Sequence, residues 1–170
     1  MKEIIINDIL KEEDITEIVK RVKIILINKK EEILLGYSNN MYQFPGGHVE
    51  ANEELVNTVN REIQEETGIE LNLKSIKPFA KLTGYYKDYP TIGNNRKNEI
   101  YYYEVKTDKK PNLNNTNYTE SELKGKFELR YINLDNFEEE IINNMKNYED
   151  SKGISSEMIS IIKIYKSIKK

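Results

Sequence analysis

Short apolar runs alternate with polar turn residues along much of the chain, and this pattern predicts a series of strands. Two early runs, separated by a short polar turn, predict a hairpin. After the third strand, Pro45 and the two glycines behind it stop the pairing and free the backbone for unusual dihedral angles. The predicted strands cover residues 18–27, 33–37, 42–44, 71–82, 99–105 and 127–132, and the apolar run 4–6 predicts an edge strand followed by a turn.

Helical spacing of apolar residues predicts three helices. Asn52 is a suitable N-cap for a helix that reaches Thr67, and Gly68 suits the left-handed position just past a helix end. Two more helices are expected at 134–147 and 155–169, and loops at 84–98 and 107–126. The last helix carries an apolar stripe typical of core packing: Met158, Ile161, Ile162, Tyr165 and Ile168. Strands around one early helix, with later helices closing the other side, predict an α/β sandwich on a mixed β-sheet.

Length and charge limit the number of domains and the class of partner. A chain of 170 residues suits one core, so we expect a single domain over 1–170, with 1–16 as an N-terminal extension and 150–170 as a C-terminal helix. The formal charge of −3 argues against a nucleic-acid polymer as partner. The sequence contains no apolar run of about 18 residues that could span a bilayer. We therefore expect no membrane association and a cytoplasmic protein.

The side chains present limit the kinds of metal that the protein could bind. The sequence has no cysteine and one histidine, His48, which excludes disulfides, zinc-thiolate sites and thiol catalysis. Any metal would have to be held mainly by oxygen, which points to a hard cation such as magnesium, manganese or calcium.

Three glutamates of the first predicted helix share one face. With about 100° per residue, Glu66 lies about 40° from Glu62 on one side and Glu65 about 60° on the other. This acidic arc overlaps the apolar stripe of the helix, where like charges are poorly solvated and repel each other. A divalent cation would compensate them, and Arg61 can pair with Glu65 one turn further on.

These residues resemble the Nudix box of the Nudix hydrolases. Gly47, Glu53 and the run Arg61-Glu62-Ile63-Gln64-Glu65-Glu66-Thr67-Gly68-Ile69 match every specified position of that motif. The resemblance extends more loosely from about residue 19 to residue 137. It implies a Nudix-type α/β/α sandwich with a mixed β-sheet, and a hydrolase that uses Mg²⁺ or Mn²⁺ to cleave a nucleoside diphosphate linked to another moiety.

The resemblance also assigns expected roles to individual residues. Glu62, Glu65 and Glu66 would bind the metal, together with the carbonyl of Gly46, and Glu53 would support the site directly, through water or through Arg61. The base that activates water stays open, because members of the family use either a box glutamate or one from a later loop. The candidates for this base are Glu62, Glu99, Glu120 and Glu122.

The substrate is a small nucleotide derivative of unspecified type: a nucleoside triphosphate, ADP-ribose, a nucleotide sugar or a dinucleoside polyphosphate. Aromatic and basic residues at the ends of the 84–98 loop are candidates for stacking on a base and neutralising a phosphate: Tyr85, Tyr86, Arg96 and Lys97. An ordinary exposed loop would also account for them.

Two other functions fit the sequence. A Nudix-type domain could sense a nucleotide without hydrolysing it, but loss of box acids would favour that function and none is lost. A purely structural acidic helix would show no metal-dependent activity. Family members are often dimeric, so the resemblance also allows a homodimer.

Overall fold

The computed structural model describes residues 1–7 and 9–169 and is built around a mixed β-sheet. The strands are β1 (Lys2–Asn7), β2 (Glu17–Ile27), β3 (Glu32–Ser38), β4 (Met41–Gln43), β5 (Ala80–Tyr86), β6 (Arg96–Lys106) and β7 (Glu128–Asn133). The helices are α1 (Leu55–Thr67), α2 (Glu120–Lys124), α3 (Phe137–Asn147) and α4 (Lys152–Ile168).

The strands lie in the order β1-β5-β6-β2-β3-β4, and β7 also pairs with β3. The β1–β5 and β2–β6 pairs are parallel, whereas the other pairs are antiparallel. The hairpin of β2 and β3 and the N-terminal edge strand were both predicted from the sequence, and both are confirmed.

Helices cover both faces of the sheet. In β2, Ile24 and Leu26 belong to the buried cluster that includes Val59 of α1, whereas Ile25 and Ile27 pack with residues of α3 and α4. A strand covered on both faces reads as a continuous apolar run, as the second half of β2 does. The predicted α/β sandwich on a mixed sheet is confirmed.

The start of the first helix differs from the prediction. Asn52 does not cap it, because its φ of 64° puts it in a left-handed turn, and the helix begins at Leu55 after the extended residue Glu54. Asparagine tolerates left-handed backbone, which favours this turn over a cap. The predicted end is confirmed, since Gly68 follows Thr67 with a φ of 67°.

The segment 71–79 was predicted as strand and is irregular. The side chain of Asn60 in α1 accepts from the backbone N–H of Leu73 and donates to its carbonyl, both at 3.0 Å. These bonds occupy the backbone groups that a neighbouring strand would have used. Leu71, Leu73 and Ile76 still pack against the α1 side of the sheet.

Three smaller predictions also need correction. Both ends of the predicted loop 84–98 belong to the sheet, where Tyr85 pairs with Lys97 and Tyr86 with Arg96. The predicted loop 107–126 contains α2. Ile168 was assigned to the buried stripe of the last helix but is 46% exposed, whereas the other four residues of that stripe are buried.

Candidate active site

Two consecutive glycines bring the chain close to both β2 and α1. Gly46 has a φ of 140°, and a Cβ there would overlap the carbonyl of Val22. A Cβ at Gly47 would overlap the carboxylate of Glu62. The carbonyls of Pro45 and Gly47 accept from β2. No side chain fits at Gly46, where the neighbour is backbone, and a side chain at Gly47 would displace the carboxylate of Glu62.

Two acids of α1 are buried beside this turn. Glu66 is 6% exposed and Glu62 is 8% exposed. Glu66 accepts a hydrogen bond from the backbone N–H of Gly46 at 3.3 Å. Burial raises the pKa of Glu66 well above its ordinary value, and the neighbouring carboxylate of Glu62 raises it further. Burial also raises the pKa of Glu62, against the opposing charge of Arg61. This is an environment that needs positive charge.

Arg61 forms hydrogen bonds with three acids of the site. Its Nη1 donates to Glu62 at 2.7 Å and to Glu65 at 3.0 Å, while its Nε and Nη2 hold Glu53 in a bidentate pair at 3.0 and 2.9 Å. Nη2 also donates to the carbonyl of His48 at 2.9 Å. The hydrogen bonds from Arg61 lower the pKa of Glu53 to about 2 despite its burial. A planar guanidinium with five donors suits this number of acceptors.

A cleft of about 430 Å³ opens in front of these groups. Arg61 and the three glutamates of α1 contribute to its lining, and so do Gly46 and Gly47 of the glycine turn. The far wall comes from the segment before α2 and from α2 itself: Asn117, Thr119 and Glu122. The backbone N–H of Asn117 donates to the carbonyl of Glu65 at 2.8 Å, which fixes this wall against the end of α1.

The four candidates for the general base lie in different places. Glu62 and Glu122 line the cleft, whereas Glu120 does not; its side chain is 89% exposed and pairs with Lys124. Glu99 lies on β6 and accepts from Lys81 at 2.7 Å. Burial alone would raise the pKa of Glu99, but this bond to Lys81 lowers it overall.

Glu122 also closes a capping box on α2. Its carboxylate accepts from the backbone N–H of Thr119 at 2.6 Å and from the Thr119 hydroxyl at 2.8 Å. The Thr-x-x-Glu spacing is a recognisable N-terminal helix signal. Sequence reasoning missed Asn117 and Thr119, although this signal could have marked the helix.

The predicted substrate-binding residues lie apart from the cleft. The hydroxyl of Tyr85 and the ammonium of Lys97 both donate to Glu12, at 2.5 and 2.7 Å. Arg96 donates to Glu17 at 2.8 Å. Tyr86 lines a different cavity, on the α4 side of the sheet. Glu12 of the N-terminal extension and Glu17 at the start of β2 therefore supply the partners of three of these four side chains.

The donor set at the cleft fits a hard divalent cation. Its members are carboxylate oxygens and the nearby carbonyl of Gly46, the ligand types that magnesium and manganese prefer. As the side chains stand, no three acidic or histidine residues within 1–7 and 9–169 are grouped to hold an ion. In this arrangement Arg61 binds the carboxylates of both Glu62 and Glu65.

Comparison with known proteins agrees with this geometry. The NUDIX domain model matches residues 18–148, which is more than half of the chain. The chain therefore belongs to the NUDIX family, the family of the Nudix pyrophosphohydrolases. A search of the curated proteins finds no match.

Solved structures show the same fold at low sequence identity. The Ap4A hydrolase of C. elegans, in a binary complex, is 18% identical with a TM-score of 0.53, over 88% of this chain and 96% of that one. A MutT protein from Bacillus halodurans is 21% identical with a TM-score of 0.52, over 71% and 72% of the two chains. A MutT protein from Methanosarcina mazei is 19% identical with a TM-score of 0.50, over 71% and 80%.

No helix in the described part of the chain is both long and apolar enough to cross a membrane.

Proposed function

We propose that this chain hydrolyses a pyrophosphate bond in a nucleoside diphosphate derivative, with Mg²⁺ or Mn²⁺ bound by Glu62, Glu65, Glu66 and the carbonyl of Gly46. The observation that carries the proposal is the burial of Glu62 and Glu66 side by side at the Gly46–Gly47 turn. Arg61 pairs with Glu62 at 2.7 Å, but within the described residues no ion pair is formed by Glu66, and a bound cation would compensate the remaining negative charge. When bound, the ion would neutralise the diphosphate and lower the pKa of an attacking water.

Arg61 and Glu53 act as positioning residues in this proposal. Arg61 holds the carboxylates of Glu62 and Glu65 in fixed orientations, and Glu53 holds Arg61 through two hydrogen bonds. The side chain of Glu53 is fixed in turn by the hydroxyl of Thr58 at 2.8 Å. Such a chain of contacts limits the movement of the metal ligands, which positioning of the reacting groups requires.

For the general base, the cleft favours Glu122 or Glu62 over the other candidates. Both line the cleft, so either can accept a proton from a water held there. Glu120 and Glu99 have other ion-pair partners and do not line it.

The test is a panel of nucleoside triphosphates, ADP-ribose, nucleotide sugars and dinucleoside polyphosphates, incubated with Mg²⁺ or Mn²⁺. We expect one class to be cleaved, and we expect the Glu65→Gln and Glu66→Gln variants to lose turnover while they keep the circular dichroism spectrum of the wild type. Unchanged turnover in both variants would reject the metal-ligand assignment. No cleavage of any class would reject the proposed function.

A matched pair on α2 tests the base. Glu122→Gln should lower kcat and leave the helix intact, because glutamine also closes a capping box. Glu120→Gln, two residues away, should leave kcat unchanged because that side chain points to solvent. Equal effects of the two substitutions would remove Glu122 from consideration and leave Glu62.

A further inference from the structure

The first strand lies at one end of the sheet and is paired on one side only. In the strand order β1 is the terminal member, and within residues 1–7 and 9–169 it pairs with β5 alone. A strand with an unpaired side presents a row of backbone N–H and C=O groups that can pair with another strand. We call the open side of Lys2–Asn7 the β1 edge.

The β1 edge lacks the features that usually protect an edge strand from pairing. Protected edges are commonly very short, interrupted by a bulge or a proline, or charged. By contrast, β1 has six residues in continuous register with β5, and three consecutive isoleucines, 4–6, form its centre. Ile5 is 66% exposed, and Ile6 is also exposed. At the other end of the sheet, β4 has only three residues and β7 carries Glu128 and Arg130. An apolar edge as long as β1 is therefore expected to be covered by another strand.

The pairing with β5 determines which backbone groups of β1 point to its open side. The N–H of Lys2 donates to the carbonyl of Phe79 at 2.9 Å, so Lys2 bonds towards β5. Successive residues of a strand direct their backbone groups alternately to the two sides. The even-numbered residues of β1 therefore bond towards β5. Three residues direct their N–H and C=O groups outwards: Glu3, Ile5 and Asn7.

These outward groups match a second copy of the same strand. In an antiparallel pair, every second pair of opposed residues exchanges both of its N–H···O bonds. A two-fold axis at Ile5 places Ile5 opposite its own copy and Glu3 opposite Asn7, so every outward residue is paired. An axis at Glu3 would instead bring two carboxylates together, which is unfavourable. An axis at Asn7 would leave Glu3 without a strand residue opposite it. Pairing about Ile5 is therefore the register that the strand itself favours.

The side chains of β1 fit the same register. Ile4 packs with the buried cluster on the α4 side of the sheet, so Ile5 lies on the α1 side. In the two-fold pair, Ile5 contacts its own copy on the α1 side, and Ile6 lies opposite Ile4 of the second copy on the α4 side. Both exposed isoleucines of the strand are then covered. The two Glu3 residues lie on opposite sides of the axis, about 14 Å apart along the strands.

We propose that this protein forms a homodimer in which β1 pairs antiparallel with β1 of a second copy, about a two-fold axis at Ile5. The two sheets join into one, and the apolar edge of each copy is removed from solvent. Such a contact is isologous, because both subunits use the same surface. No residue of β1 lines the catalytic cleft, so the dimer is expected to form without metal or substrate.

Analytical ultracentrifugation of the full chain over a range of concentrations tests the dimer. We expect the wild type to reach twice the mass of one chain. The dissociation constant should rise at least about tenfold in Ile5→Pro and in Ile5→Lys. Proline removes the outward N–H at position 5 and keeps the bonds to β5, as an edge strand allows. Lysine keeps the backbone and places two ammonium groups opposite each other.

Leu113→Lys is the matched control for the lysine variant. Leu113 is 65% exposed, so the change in side chain and in exposure is nearly the same as at Ile5. It lies beside the end of α1, where the N–H of Asn112 donates to the carbonyl of Thr67. The dissociation constant of this variant should equal that of the wild type.

Single cysteines can report the register, because the sequence contains none. Opposed Cα atoms of a hydrogen-bonded antiparallel pair are about 5.5 Å apart, within the range of about 4.4–6.8 Å that a disulfide spans. Ile5→Cys should therefore form a disulfide-linked dimer when copper phenanthroline is added as oxidant. Glu3→Cys should not, because its two copies are about 14 Å apart.

Three results would overturn the proposal. The first is a wild type that stays monomeric at every concentration, and the second is a dissociation constant that Ile5→Lys raises no more than Leu113→Lys does. The third is a Glu3→Cys variant that crosslinks as readily as Ile5→Cys. Circular dichroism of each variant separates lost pairing from lost folding. Ile5→Lys changes only an exposed side chain, so it decides the question even if the proline variant does not fold.

Discussion

Replacement of Asn98 by leucine should make the free protein more stable. Asn98 lies on β6 with its Oδ1 buried and unpaired within the described chain. An unsatisfied buried polar group costs about 1–3 kcal/mol. Leucine has a similar size, removes that cost and adds apolar surface near Leu82 and Ile154. We expect the free energy of unfolding to rise by about 1–2 kcal/mol, and Tm to rise by about 2–4 °C for each kcal/mol in a chain of this size.

Asn60 provides the matched control for this experiment. It is half-buried like Asn98, but its side chain makes two hydrogen bonds to the backbone of Leu73, both at 3.0 Å. Asn60→Leu leaves that N–H and that carbonyl unpaired, so it should lower the free energy of unfolding by about 1–3 kcal/mol, although leucine is the better helix former.

Urea denaturation of the wild type and both variants measures the two effects on one scale. We expect the free energy of unfolding to rise in Asn98→Leu and to fall in Asn60→Leu, although the chemical change is the same. If Asn98→Leu destabilised the protein as much as Asn60→Leu, then Asn98 would have a structural partner and the expected gain in stability would be refuted.

Three further outcomes follow from the site and its surroundings. The pKa of Glu53 is lowered to about 2 by Arg61. The stabilising effect of the ionised carboxylate is therefore complete above about pH 4.5 and is lost as pH falls through about 2. Thermal unfolding should show that the difference in Tm between the wild type and Glu53→Gln narrows over that range. Gly68→Ala should lower the free energy of unfolding by at least about 1–2 kcal/mol, because Gly68 has a φ of 67° and a Cβ would overlap the carbonyl of Asn112; wild-type stability in urea would contradict this. Calcium should replace magnesium poorly in the hydrolysis assay, because its looser coordination positions water less strictly, and full activity in calcium alone would refute that expectation.

Features encoded within one element could be predicted from the sequence. The three glutamates of α1 share a face because helix geometry fixes their angles, and the end of α1 follows from the backbone freedom of Gly68. The β2–β3 hairpin follows from two apolar runs and the turn between them. In each case the decisive contacts lie within a short stretch of chain.

Features that depend on distant parts of the chain could not be predicted. The strand prediction for 71–79 was wrong because Asn60, in another element, satisfies the backbone of Leu73. The far wall of the cleft was missed because Asn117 reaches α1 through a backbone bond to Glu65. Neither contact has a signal in the local pattern of apolar and polar residues.

The predicted substrate-binding residues show the same limit. Tyr85 and Lys97 have the right chemistry for a nucleotide, but their polar atoms already bind Glu12, which the sequence places 73 residues or more away. A carboxylate of the protein's own N-terminal segment thus occupies the donors that a phosphate would need.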